Sequence, residues 1–99
     1  MKERLEAIEE KYLEITQKLS DPEVLKDIKK VAELSKEQAS LKDPYEAYQK
    51  LKKIEEDLEE SKELVKDPEL GDFAKEEITR LTAEKEKLEK DIEVMLLPK

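Results

Sequence analysis

Apolar residues recur along this chain at the spacing of one helix face. Over residues 2–19, Leu5, Ile8, Tyr12, Ile15 and Leu19 step by three and four, an unbroken heptad seam with Glu and Lys at most other positions. Ala47, Leu51, Ile54, Leu58, Ser61 and Val65 repeat the pattern over 44–66. Ala74, Ile78, Leu81, Leu88, Ile92 and Met95 carry it over 72–97, with Lys85 as the one polar interruption. Residues 22–41 have a broader, less regular face: Val24, Leu25, Ile28, Val31, Ala32, Leu34 and Leu41. The last segment would be about 39 Å long at 1.5 Å per residue. Its apolar stripe is too long to stand uncovered, so a second helix must lie along it.

The breaks between these segments share one dipeptide. Asp21-Pro22, Asp43-Pro44 and Asp67-Pro68 each precede a periodic run. An Asp carboxylate accepts hydrogen bonds from the unpartnered N–H groups of a first helical turn. Proline suits the first helical position, and the residue before it avoids helical dihedrals. The pattern predicts helix caps at Asp21, Asp43 and Asp67, with Glu46 at capping-box spacing from Asp43. It predicts helices over 2–19, 22–41, 44–66 and 72–97. At the third break Pro68 is expected to open a turn that Gly71 closes, with Asp72 capping the last helix and Phe73 plugging the bundle end. Short connections make consecutive helices antiparallel neighbours. The expected fold is a single all-α domain over 1–99, an up-down antiparallel bundle of about four helices. Its last two form a long coiled-coil-like hairpin with Leu51, Ile54, Leu58, Leu81, Leu88 and Ile92 in the seam.

Composition tests that picture. Charged residues make up 48% of the chain and hydrophobic ones 36%, a balance that also occurs in disordered segments. The helical period of the apolar positions decides for a bundle or coiled coil. Cys and His are absent, so thiolate chemistry and imidazole-activated nucleophiles are excluded, and Ser20, Ser35, Ser40 and Ser61 have no such base. Di-iron sites of helical bundles use Glu-x-x-His, which cannot occur without His. One glycine cannot build a phosphate-binding loop. No catalytic residue, cofactor or metal ligand is therefore expected. Tyr45 and Tyr48 read as bundle-end packing. No apolar run approaches the roughly 18 residues of a membrane span. Met1 leads straight into an amphipathic helix with no signal peptide, so a soluble cytoplasmic protein is expected.

Net charge is −8 and unevenly placed. Residues 1–42 carry nine basic and ten acidic side chains, a net of −1, whereas residues 43–99 carry eleven and eighteen, a net of −7. A negative field repels phosphate, so no direct grip on nucleic acid is expected, and a basic protein surface is the better match. Glu55, Glu56, Glu59 and Glu60 flank the seam positions Ile54 and Leu58. They read either as a solvated helix face or as a docking surface for a basic partner.

Several segments carry a family likeness. They are Leu19-Ser20-Asp21-Pro22-Glu23-Val24 after the first helix, Tyr45, Tyr48-Gln49-Lys50-Leu51, and Asp67-Pro68-Glu69-Leu70. Phe73-Ala74-Lys75-Glu76-Glu77 opens the last helix, and Leu96-Leu97-Pro98-Lys99 ends the sequence. The chain resembles the N-terminal domain of bacterial class I peptide chain release factors. Its end resembles the junction to the codon-reading domain and favours the branch that reads UAA and UAG. The resemblance implies codon-reading and catalytic domains after residue 99. It implies contacts with the ribosomal GTPase-associated centre, the stalk-base protein there and the class II release-factor GTPase. The family's Gly-Gly-Gln motif is absent, since only Gly71 is present, and no proline begins a Pro-x-Thr tripeptide. The segment is therefore expected not to be an enzyme. A self-contained coiled-coil scaffold or prefoldin-like chaperone, working as an oligomer, is the alternative. The chain end separates them, because a scaffold has no need to stop at Leu-Pro-Lys.

Overall fold

The computed structural model describes residues 1–98; Lys99, the last residue of the expected junction, lies outside the described residues. The chain is all-α: α1 spans Lys2–Lys18, α2 Pro22–Leu25, α3 Ile28–Leu64 and α4 Gly71–Met95. Among the described residues there is no strand. The chain divides into two compact units, Met1–Tyr48 and Gln49–Lys99, and α3 runs through the division.

In the first unit, Leu5 and Ile15 of α1 are fully buried, with Ile8, Tyr12 and Leu19 half-buried, as the heptad spacing predicts. Gln38 Nε2 donates to Thr16 Oγ1 at 2.7 Å, and the Tyr12 and Tyr45 rings stack with centroids 4.0 Å apart. Residue 16 therefore meets 38 while residue 12 meets 45, so α1 runs antiparallel to this part of α3. Asp21 is extended, with ψ of 120°, and accepts from Glu23 N–H at 2.9 Å with Pro22 at the helix start. That cap is as expected.

The helix it opens is not. α2 is a single turn, and α3 starts afresh at Ile28, where Asp27 Oδ1 accepts from Lys30 N–H at 3.1 Å. The predicted helix over 22–41 is thus divided at Asp27. Leu25 and Ile28, placed on its apolar face from the sequence, are 51% and 83% exposed.

The second correction concerns Asp43-Pro44. The helices expected over 22–41 and 44–66 are joined in one 37-residue helix with Pro44 inside it. Proline has no N–H to offer the Ser40 carbonyl, and a helix-interior proline is unfavourable by about 3 kcal/mol. Here the ring is buried, and Ala47 and Tyr48 beyond it are each 5% exposed. Packing outweighs the local signal. Asp43 lies inside α3 and caps no helix end.

In the second unit, α4 packs along residues 49–64 of α3. The seam holds Leu51, Leu58 and Ser61 from α3 and Gly71, Ala74, Leu81 and Ile92 from α4, all buried. Ile54, Val65, Ile78 and Leu88 are half-buried at its edges. Lys85 is answered across the seam by Glu55 at 3.3 Å. At the turn, Asp67 Oδ1 accepts from Glu69 N–H at 2.7 Å and Leu70 N–H at 3.1 Å. Asp67 thus caps the turn, whereas the residue at the α4 cap is Leu70, with no side-chain cap. Asp72 sits in the first turn of α4 instead of capping it. A Cβ on Gly71 would lie 2.9 Å from the Val65 carbonyl oxygen, so the turn between α3 and α4 closes as tightly as it does because position 71 has no side chain. Phe73 is 58% exposed and plugs nothing, and Met95 is 41% exposed where the seam has ended.

Candidate partner-docking surface

Glu55, Glu56, Glu59 and Glu60 occupy little more than one turn of α3, beside the buried Leu58. A helix advances 3.6 residues per turn, so 55 lies over 59 and 56 over 60. The four do not share one environment. Glu55 is turned to α4, where its carboxylate pairs with Lys85, itself about one-third exposed. Glu59 is 76% exposed and accepts from Lys62 one turn on, at 3.3 Å. Glu56 and Glu60 are exposed. Their field shows at Lys53, whose ammonium is held above the ordinary lysine value by its hydrogen bond to Asp57, the Asp57 charge, then Glu56 and more weakly Glu60.

The structure therefore separates one of the four by role. Glu55 ties α3 to α4, and Glu56, Glu59 and Glu60 form the outward acidic stripe. Pairs such as Lys53–Asp57 at 3.1 Å and Lys62–Glu59 lie within α3, are exposed, and contribute little stability individually. They leave the net negative charge of the region in place. On α4, Arg80 lies between Glu77 and Glu84 and donates to both carboxylates, at 2.7 Å to Glu84. The Arg80 hydrogen bond holds the Glu77 carboxyl below the usual carboxylate value, opposed by partial burial and by Asp57.

Among the described residues, no three His, Cys, Asp or Glu side chains are grouped as a metal ion requires, and no helix is long and apolar enough to cross a membrane. What the arrangement offers is a rigid helical surface with acidic side chains on its outer face. Spacing alone revealed the stripe. It could not reveal that Glu55 is engaged, because that depends on the register between two helices.

The PCRF domain model matches residues 8–99. Proteins called peptide chain release factor 1 are similar along the chain: 41% identity in Oceanobacillus iheyensis over the whole chain and 29% of the relative, and 44% in Campylobacter concisus over 98% of the chain and 27% of the relative. The protein of that name from Lysinibacillus sphaericus is 37% identical over the whole chain and 28% of its own length. The chain thus spans less than a third of the length of these relatives. No solved structure matches it. With nearly all its helical residues matched, this chain belongs to the PCRF domain family.

Proposed function

We propose that this chain is the N-terminal interaction domain of a translation termination factor that reads UAA and UAG. The observation that carries the reading is the 37–44% identity, spread over the chain's length, to proteins named peptide chain release factor 1. In this role the segment performs no chemistry. It holds a single glycine and no Cys or His, so neither a Gly-Gly-Gln loop nor an activated nucleophile can be built from it. Its work is contact, in the cytoplasm, with the ribosomal GTPase-associated centre, the stalk-base protein and the class II release-factor GTPase.

The acidic stripe of α3 suits that work. Exposed charges steer encounter more than they hold a complex, so Glu56, Glu59 and Glu60 speed association with a basic surface. The test is to reverse these three to Lys, leave Glu55 on Lys85, and measure association with ribosomes at low and moderate salt. Slower association with a flatter salt dependence is expected, with the helical signal intact. Unchanged association in a folded variant would reduce the stripe to a solvated surface.

A further inference from the structure

The one phenylalanine of this chain is outside its core. Phe73 is 58% exposed, Leu70 46% and Leu64 38%, all within ten residues at the α3–α4 turn. Leu70 and Phe73 are three apart and share a helix face. The seam beside them is filled by Ser61, Gly71 and Ala74. Small residues lie inside and the aromatic outside, the reverse of what burial alone selects. The display is also fixed. Asp67 takes two backbone N–H groups of the turn, Gly71 N–H donates to the Asp67 carbonyl at 2.9 Å, and Gly71 rests against the Val65 carbonyl. With the backbone of the turn already held, only side-chain torsions remain to be ordered on binding.

The surroundings are acidic. Residues 60–77 carry seven carboxylates against three lysines. Two copies meeting at this end would repel, whereas a pocket rimmed by Lys and Arg would be attracted. An apolar centre inside a polar rim is the usual anatomy of a protein interface, and an aromatic at the centre commonly dominates its energy.

We propose that Phe73, with Leu70 one turn before it, is the apolar anchor of the docking surface, entering an apolar pocket rimmed by Lys and Arg on a protein partner. The inference rests on the ribosome-docking reading above and adds the contact that holds the complex once charge has steered it. The two surfaces then divide the kinetics: the α3 stripe sets association and Phe73 sets dissociation.

The probe is the 70S ribosome, with the labelled chain as wild type, Phe73→Ser, Phe73→Leu and, as a control exposed elsewhere on α4, Val94→Ser. Dissociation should be about tenfold or more faster for Phe73→Ser, the loss typical of a central anchor. Phe73→Leu should fall between, and Val94→Ser should match wild type. Association should change by less than about twofold in all of them. If wild type binds and Phe73→Ser leaves at the same rate, the anchor is overturned while the docking reading stands. If wild type does not bind ribosomes, that reading falls and takes the anchor with it. If sedimentation shows a wild-type dimer that Phe73→Ser abolishes, the patch serves a second copy and the proposal is overturned.

Discussion

A methyl group at Gly71 would press on the Val65 carbonyl from 2.9 Å, and backbone cannot swing aside as a side chain can. Alanine is the better helix former by about 1 kcal/mol, so propensity alone favours the change. The contact predicts the opposite: Gly71→Ala should lower stability by about 1–3 kcal/mol in urea unfolding, as overpacking does. In the adjoining seam, Leu58→Ala or Leu81→Ala should lose about 2–4 kcal/mol, since both residues are buried. Glu59→Ala, on an exposed side chain, should stay within about 0.5 kcal/mol. Glu77 gives a pH dependence. Its carboxyl is lowered in the fold, chiefly by the Arg80 hydrogen bond. That contribution is present above the unfolded carboxylate value of about 4.3 and is lost as pH falls through the folded one. Glu77→Gln should therefore be the less stable protein at pH 7, and its difference from wild type should shrink as pH falls below the ordinary carboxylate value, measured by unfolding across an acid pH series. At this scale the sequence was legible wherever the signal was local. Asp21 before Pro22 capped as expected, and Leu58 and Leu81 are buried as their spacing predicts. Lys85 was visible as an interruption, but its partner Glu55 was not, because thirty residues separate them.

At the scale of elements, α3 shows where local rules give way. Asp43-Pro44 has every local mark of a helix start, yet it lies inside a helix because Pro44, Ala47 and Tyr48 are buried there and Tyr45 stacks on Tyr12. The reverse holds at Asp27, where a carboxylate three residues before Lys30 begins the long helix with no proline to announce it. Asp27→Ala and Asp21→Ala should each lose about 1 kcal/mol as lost caps. Asp43→Ala should stay within about 0.5 kcal/mol, since no helix end depends on it. Pro44→Ala restores a donor to the Ser40 carbonyl and forfeits a buried ring, worth about 3 and 1–2 kcal/mol respectively. A net gain of about 1–2 kcal/mol is expected in thermal or urea unfolding. Had Pro44 begun a helix, its missing N–H would have been harmless and no such gain would appear.

At the scale of the whole molecule, charge is unevenly placed, and the proposed docking role rests on that asymmetry. The excess of acid falls in residues 43–99, where the outward stripe of α3 and the exposed Phe73 also lie. Fold class and seams were readable from periodicity, which needs one helix at a time. The exposure of Phe73 was not, because it depends on how α4 is turned against α3. The central claim, that this segment docks and does no chemistry, is tested most directly by titrating the labelled chain with stop-programmed ribosomes carrying peptidyl-tRNA, at low and moderate salt, while following peptide release. Saturable binding that weakens with salt, without any release of peptide, is the predicted result. Absence of binding, or stop-codon-dependent release by residues 1–99 alone, would contradict it.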